Sequence, residues 1–228
     1  MTAGPAASLD GIRLLAALSA ADRAALAARC SWRRFRRGEL VLSRDSDCRE
    51  VLFIAAGRVR IVNFAASGRE VAYATIEAGS QVGELAALDG EPRSASVEAL
   101  DDCLIAALPS GPFHELLLAH GELAVTLLKS LARIIRRTDE RIAELSVLGA
   151  MQRVYRELLR LAQAKPDGSA LVSPLPTQES LAALAGTTRE TVARALGQLT
   201  KAGVARRRGR ELTIPHLERL EALSEPED

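Results

Sequence analysis

The segment GELAALDGEPRSA, which begins at Gly83, brings an acid, an arginine and a serine close together. Arg93 can pair with an anionic phosphate through charge-assisted hydrogen bonds, and Ser94 can add a hydroxyl donor. The carboxylate of Glu84 would repel a phosphate but can accept a hydrogen bond from a ribose hydroxyl. Gly83, Glu84 and Leu85 can begin a short helix whose free N–H groups face the same anion. These residue types suit a sugar phosphate, although their spacing alone favours a surface ion pair.

A second set of candidate binding residues lies near the C-terminus, in a segment with the pattern of a winged helix-turn-helix. Thr177 can cap a first helix, Gly186 can supply a left-handed turn, and a second helix can begin near Thr188. A small hairpin that ends near Ile214 follows. The residues expected on the buried sides of the two helices are Leu181, Leu184, Val192, Ala195, Leu196 and Leu199.

The exposed face of the second helix carries charged side chains suited to reading bases. The arginine forks of Arg189 and Arg194 can bond O6 and N7 of guanine, and Glu190 can accept from N4 of cytosine. Positions 187–210 hold seven basic residues and one acid in a chain whose net charge is only +1. This local excess predicts contact with DNA phosphates. The alternative for Glu190 is a capping box in which its carboxylate closes on Thr187.

Other residues of this region are assigned to the DNA backbone. Arg206, Arg207 and Arg208 are expected to touch phosphates from the wing, which positions a protein without reading sequence. Thr188 and Thr191, at the start of the second helix, are expected to contact phosphates as well. A basic run that is merely solvated is the alternative for the three arginines.

The composition limits the classes of protein to which the chain can belong. Its 228 residues are 48% hydrophobic and 26% charged, as in a globular protein with room for two modest domains. No apolar stretch approaches the roughly 20 residues of a membrane helix, and the N-terminus lacks a signal-peptide pattern. An aromatic content of 3% argues against stacking on single-stranded bases. No membrane contact is expected.

The cysteines and histidines give no pattern of a metal or haem site. Cys30, Cys48 and Cys103 are odd in number and form no CxxC motif. We therefore expect free thiols in a reducing cytoplasm, with no metal and no iron–sulfur cluster. His114 and His120 are expected to be surface or packing residues, which leaves haem without support. No nucleophile–base pair is visible either, so the chain is not expected to be an enzyme.

Short segments rich in β-branched residues follow one another from Phe35 to about Leu108. Helical residues precede them, with Ser19 as a candidate N-cap. Regular short strands separated by turns predict a β-sandwich or jelly roll. The turn signals are Gly38, Gly57, Ser67–Gly68, Ala78–Gly79 and Gly90.

A long helix is predicted over about 113–147, after a proline-rich break. Its apolar residues recur at alternating spacings of three and four, which predicts that two such helices pair in a homodimer. The seam consists of Leu128, Leu131, Ile135, Thr138, Ile142 and Leu145. Three heptads are few, so this stripe could instead pack on the β-domain. Leu127 and Ile134, on a flanking face, could also serve that purpose.

These segments together resemble, over essentially the whole chain, the bacterial catabolite activator (CRP/FNR) family of transcription regulators. GELAALDGEPRSA is similar to the phosphate-binding cassette of that family, and TTRETVARAL is similar to its recognition helix. The resemblance implies an α+β fold with an N-terminal β-roll (a double-stranded β-helix or jelly roll), a long dimerisation helix and a C-terminal winged helix-turn-helix. The implied domains are residues 1–147 for nucleotide binding and dimerisation and residues 148–228 for DNA binding.

The resemblance also implies roles for single residues. Those that would hold the sugar phosphate of cAMP are Gly83, Glu84, Arg93 and Ser94. Those that would read a TGTGA-type half-site are Arg189, Glu190 and Arg194. Thr138 falls where cAMP-binding members contact adenine; a polar residue that fixes helix register is the alternative. Asp139 departs from the serine of the best-known member, and its carboxylate could accept from adenine N6 or from guanine N1 and N2.

The sequence thus predicts a cytoplasmic, homodimeric regulator that binds double-stranded DNA at a palindrome under allosteric control by cAMP. RNA polymerase is a further partner implied by the resemblance. The same architecture could answer instead to cGMP, to both nucleotides or to another second messenger. A ligand-independent DNA-binding protein is the more distant alternative, and the intact Glu84, Arg93 and Ser94 argue against it.

Overall fold

The computed structural model describes residues 7–64 and 70–226. The chain divides into two compact units, one that ends at Ile134 and one that begins at Ile135. A β-domain, a long helix and a helix-turn-helix follow one another along the chain, so the predicted α+β class is confirmed. None of the helices within the described ranges has the length and apolarity needed to span a bilayer.

The first unit contains two four-stranded antiparallel sheets, with strand orders β1-β8-β3-β6 and β2-β7-β4-β5. Its elements are a 3-10 helix (Arg13–Leu15), α1 (Ala20–Ala28), β1 (Ser31–Phe35), β2 (Leu40–Leu42), β3 (Val51–Ala56), β4 (Arg58–Phe64), β5 (Glu70–Glu77), β6 (Gln81–Val82), α2 (Glu84–Asp89), β7 (Ser96–Ala99), β8 (Cys103–Leu108) and α3 (Ser110–Ala119). This arrangement agrees with the predicted sandwich of short strands. As predicted, Ser19 caps α1.

Strands β3 and β8 are buried on both faces, which explains their uninterrupted apolar sequences. Ile54 and Ile105 point into the cluster between the two sheets. Phe53 and Ala106 point the other way, into a cluster formed with the helices of this unit. The alternation of side chains along each strand thus builds two cores from one sheet.

Two strands of this unit were not predicted. β1 has the sequence SWRRF, and its pattern of exposure leaves the arginines Arg33 and Arg34 outside. β1 lies at the edge of its sheet, where charged side chains are common because one side of the strand faces solvent. β6 contains only Gln81 and Val82, too few residues to show a period. The predicted turn at Ser67–Gly68 lies outside the described residues.

The helix predicted over about 113–147 is instead two helices, α3 and α4 (Gly121–Val147). His120 leaves the helical conformation, with φ −129° and ψ 81°, and Gly121 is a weak helix former. The break allows Phe113 of α3 and Leu123 of α4 to enter the same core cluster. Of the two flanking residues, Leu127 is buried in that cluster, whereas Ile134 is 47% exposed.

The second unit contains the end of α4 and a helical domain with one small sheet of order β11-β12-β10-β9. Its further elements are α5 (Ala150–Leu161), β9 (Gln163–Ala164), β10 (Ala170–Val172), α6 (Gln178–Ala185), α7 (Arg189–Lys201), β11 (Arg206–Arg208), β12 (Glu211–Ile214) and α8 (Leu217–Leu223). α5 ends before the predicted boundary because Gln163 and Ala164 pair with β10. β10 itself lies in a stretch predicted as loop.

The helix-turn-helix follows the prediction closely. The Thr177 side chain accepts a hydrogen bond from the backbone N–H of Ser180 and so caps α6, and Gly186 adopts the left-handed conformation at φ 60°. The buried residues of α7 are the predicted set, Val192, Ala195, Leu196 and Leu199. Leu184 is an exception, because it is only half-buried.

Candidate functional site

The cassette segment folds around two glycines in the left-handed conformation. Gly83 precedes α2 at φ 81°, and Gly90 follows it at φ 75°. A Cβ atom at Gly83 would lie 2.6 Å from Nη1 of Arg93 and 3.0 Å from the carbonyl oxygen of Glu50. Glycine is therefore required here for two reasons: the backbone conformation and the space that the guanidinium takes up.

Arg93 is buried, with 3% of its surface exposed. Its Nη1 donates to the carbonyl of Gly83 and its Nη2 donates to the carbonyl of Glu50, each at 2.8 Å. Its Nε is buried and has no hydrogen-bond partner among the described residues. The hydrogen bonds of this buried cation thus go to neutral carbonyls, which do not compensate its charge. The surface ion pair that spacing alone favoured is therefore the wrong interpretation.

Glu84, the first residue of α2, supplies a buried acceptor beside this cation. Its Oε2 atom is buried without a hydrogen-bond partner among the described residues. Burial raises the pKa of the Glu84 carboxyl, while its own backbone N–H and the charge of Arg93 act in the opposite direction. The segment therefore presents an unsatisfied donor and an unsatisfied acceptor together, an arrangement that a small polar molecule could satisfy.

The other cassette residues are more open. Ser94 is exposed and lies beside Arg93 in the chain, and Leu85 is 43% exposed. The neighbouring segment contributes contacts that the sequence did not indicate: the Glu50 carbonyl, and Arg49, whose Nε donates to the carbonyl of Gly90 at 3.0 Å. Backbone carbonyls leave no trace in a sequence, so the Glu50 contact had no signal to find.

Thr138 and Asp139 both lie on the exposed surface of α4. They belong to the second unit, whereas the cassette belongs to the first. Their predicted contact with a nucleotide base stays a prediction.

The three cysteines are free thiols. Burial raises the pKa of Cys30 to about 11 and also raises the pKa of Cys103. In the described part of the chain, no group of three or more histidine, cysteine, aspartate or glutamate side chains is placed to hold a metal ion.

The N-terminus of α7 does not have the capping box of Thr187 and Glu190 that was the alternative role for Glu190. The N-cap is Thr188, whose hydroxyl accepts from the backbone N–H of Thr191 at 3.3 Å, so Thr187 does not form a capping box. The pKa of Glu190 is lowered by its own backbone N–H and by the hydroxyl of Thr188. The carboxylate is thus held in its charged form on the exposed face of α7.

The other two predicted base-reading residues, Arg189 and Arg194, are also exposed. Arg189 Nε lies 3.1 Å from Oε1 of Glu179 in the first turn of α6, a pair in which both side chains are more than half exposed. Such a pair contributes about 0–1 kcal/mol, so Arg189 can exchange partners at little cost. The acid at Glu179 is visible in the sequence, but its partner is not, because the two lie on different helices.

The wing presents its charge to solvent. Arg206, Arg207 and Arg208 form β11 and are all exposed. Arg207 Nε donates to the carbonyl of Gly209 at 3.2 Å, which shapes the turn to β12. The basic residues of the helix-turn-helix and wing thus remain available to an anionic partner.

Comparisons with known proteins agree with the description of the β-domain and with that of the helix-turn-helix domain. Residues 32–120 match the family model of the cyclic nucleotide-binding domain, and residues 152–223 match that of the Crp-like helix-turn-helix domain. The CRP-like cAMP-activated global transcriptional regulator of Mycobacterium tuberculosis is 32% identical over 189 residues, 82% of this chain and 84% of the relative.

Two solved structures share the fold. A variant of CooA from Carboxydothermus hydrogenoformans has a TM-score of 0.75 at 22% identity, over 87% of this chain and 89% of that one. The c-di-GMP-responsive regulator CLP of Xanthomonas campestris has a TM-score of 0.68 at 21% identity, over 82% of this chain and 94% of that one.

The β-domain with its buried arginine and the basic helix-turn-helix define a DNA-binding transcription regulator with a cyclic nucleotide-binding domain. The chain belongs to the CRP/FNR family.

The raised pKa of Glu84 predicts a pH-dependent stability. Because the folded state holds the carboxyl proton more tightly than the unfolded chain does, stability is lost as pH rises through the ordinary glutamate range of about 4.3 and above. Glu84→Gln should therefore raise the melting temperature of the nucleotide-free protein at pH 7. The difference from wild type should vanish near pH 4, where wild-type Glu84 is protonated.

Thermal unfolding of both proteins at the two pH values measures this effect. Glu91→Gln, at an exposed position of the same segment, is the matched control and should change neither melting temperature. If Glu84→Gln changed the melting temperature equally at both pH values, the raised pKa of Glu84 would be contradicted.

Proposed function

We propose that this chain is a homodimeric regulator that binds cAMP in its β-domain and, in response, binds a palindromic TGTGA-type DNA site in the cytoplasm. The observation that carries the proposal is the buried Arg93 guanidinium, whose free Nε lies in the same segment as the unsatisfied Oε2 of Glu84. RNA polymerase is proposed as a further partner on the family resemblance alone.

The chemistry of the cassette suits a cyclic nucleotide. Arg93 supplies a positive charge for the phosphate, and Ser94 supplies a hydroxyl donor. Glu84 supplies an acceptor for the ribose 2′-hydroxyl, which is the group of the sugar phosphate that can donate toward a carboxylate. An anion without a hydroxyl, such as sulfate, would leave the Glu84 carboxylate unsatisfied, so the pair supports a ligand with both an anionic group and a hydroxyl.

The choice of base depends on α4. Thr138 and Asp139 are proposed to contact the base, with Asp139 accepting from adenine N6. The M. tuberculosis relative is named as cAMP-activated, which supports cAMP. A second candidate is a different nucleotide second messenger, since the CLP regulator of the same fold is named as c-di-GMP-responsive. For cGMP, the carboxylate of Asp139 would accept from N1 and N2 of guanine.

Four of the five apolar seam residues of α4 are exposed, which supports dimerisation, whereas Leu131 is half-buried against the core of the first unit. The solvent-exposed fractions are 63% for Leu128, 61% for Ile135, 59% for Ile142 and 49% for Leu145. Large apolar side chains at heptad spacing on one helix are covered when a second copy packs against them. A ligand that contacts both helices of such a pair binds one arrangement more tightly and thereby shifts the equilibrium. The favoured arrangement would place two α7 helices about 34 Å apart in successive major grooves.

The first prediction from this proposal concerns the phosphate. Arg93→Lys should lower cAMP affinity by about 10- to 100-fold, because a single ammonium cannot hold the Gly83 and Glu50 carbonyls and also donate to the phosphate, as the three guanidinium nitrogens can. Isothermal titration with cAMP and cGMP, alone and in competition, measures the affinity and decides the base preference. Arg49→Lys, on the neighbouring segment, should change affinity by less than about threefold. An unaltered affinity in Arg93→Lys would remove the phosphate role.

The second prediction concerns the seam. Ile135→Asp places a charge in the proposed helix pair and should yield the mass of a single chain in light scattering, while wild type yields twice that mass. Leu118→Asp is the control, since Leu118 is 88% exposed but lies on α3, off the seam. A dimeric Ile135→Asp protein, or a monomeric wild type, would contradict the proposed assembly.

The third prediction concerns base reading. Glu190→Ala should relax the preference at one base pair of the half-site by about 1–3 kcal/mol. Selection from randomised DNA at stated salt measures this preference. Arg207→Gln provides the contrast, because loss of a phosphate contact should weaken binding to all DNA sequences alike. It should also lower the slope of log affinity against log salt concentration by about one. If Glu190→Ala keeps the wild-type preference, Glu190 serves only the end of the helix.

A further inference from the structure

The C-terminal end of α6, just before the helix-turn-helix turn, is held by arginines from two other helices. The last carbonyls of any α-helix lack partners within the helix and carry partial negative charge. α6 has no basic residue in its own last turn. Arg153 of α5 donates from Nε to the carbonyl of Ala185 at 3.0 Å, and Arg141 of α4 donates from Nη2 to the carbonyl of Ala183 at 3.3 Å.

Arg153 makes two further bonds of the same kind. Its Nη2 donates to the carbonyl of Gly186 at 3.2 Å, and its Nη1 donates to the carbonyl of Leu148 at 2.8 Å. Leu148 lies between the end of α4 and the start of α5, whereas Gly186 is the turn of the helix-turn-helix. One guanidinium thus connects the α4–α5 junction with the turn that leads into α7.

Side-chain packing strengthens this connection within the second unit. A Cδ atom of Leu145 lies 3.3 Å from the position that a Cβ at Gly186 would occupy, so α4 packs directly on the turn. Arg160 of α5 pairs with Glu144 of α4 at 2.6 Å and with Glu157 at 3.0 Å, so these ion pairs join α4 to α5 and do not involve the turn. The end of α4 and the end of α6 are therefore joined through Leu145, Arg141 and Arg153.

We propose that Arg153 is a positioning residue for DNA recognition, which, with Arg141, makes the turn at Gly186 move together with the end of α4. Only two residues separate Gly186 from α7, and the second of them, Thr188, caps the helix, so the direction of α7 is set by this turn. Arg153 is half-buried, and all three nitrogens of its guanidinium donate to backbone carbonyls.

The three carbonyls require the fork of an arginine. Guanidinium nitrogens point in fixed directions in one plane, whereas a lysine ammonium is a single point of charge that can satisfy only part of such a set. Arg153→Lys therefore keeps the charge at the end of α6 but releases part of the connection. Any nucleotide-driven movement of α4 would then reach α7 less completely. This last step alone rests on the proposed function.

The experiment compares Arg153→Lys with Arg160→Lys, an equal substitution on the same helix whose partners are carboxylates. The primary readout is the ratio of affinities for the selected DNA site and for non-specific DNA. Arg153→Lys should lower this ratio by about tenfold, because a misdirected α7 loses base contacts but keeps phosphate contacts. Arg160→Lys should leave it within about twofold. An unchanged ratio in Arg153→Lys, or an equal loss for both kinds of DNA, would overturn the proposal.

A second readout measures the effect of cAMP on affinity for the selected site. Arg153→Lys should reduce this effect about fivefold or more while cAMP affinity itself is retained. If wild type shows no effect of cAMP, the proposed ligand is wrong, and the primary readout still decides the role of Arg153. If Arg153→Lys fails to fold by thermal unfolding, Arg141→Lys, which alters a single bond, should lower the specificity ratio in the same direction by a smaller factor; an unchanged ratio there would also overturn the proposal.

Discussion

The buried guanidinium of Arg93, bonded to two backbone carbonyls, determines which residues the cassette can have around it. Arg93 can occupy this position only because Gly83 has no side chain and adopts a left-handed conformation. The cation in turn lowers the pKa of Glu84, against the larger effect of burial that raises it. The β-domain, whose strands are otherwise closely packed, therefore contains a buried donor and a buried acceptor without partners, and the proposed ligand would satisfy both.

The net charge of the chain is only +1, but its arginines lie in two different environments. In the first unit, Arg93 is buried, so only a small molecule could reach its charge. In the second unit, Arg206, Arg207 and Arg208 are exposed, where a long, regularly charged polymer can reach them all. Burial therefore separates the arginine of the cassette from those of the wing by the size of the partner that could reach each.

The sequence predicted those features that arise from local patterns. The cap at Thr177 and the buried side of α7 are set by neighbours along the chain, so they could be predicted. β1 could not be, because its partner β8 is distant in sequence and its side chains lack an apolar period. β10 could not be either, because three residues are too few to show a period and one of its two partners, β12, is distant. The break at His120 was missed for a related reason: it is fixed by how two helices enter a shared core. In the site, residue types were visible, but their partners, such as the Glu50 carbonyl, were not.

Side chains along helix α4 have different surroundings, so the number of residues between them determines which side of the helix each one faces. Leu127 is buried on one side, Ile135 is exposed on the seam, and Leu145 packs against Gly186. Loss or gain of one residue between them would turn everything downstream by about 100° and shift it by about 1.5 Å. Evolution can therefore exchange side chains along this helix but cannot readily insert or delete a residue, and homologues that differ here should differ by whole heptads.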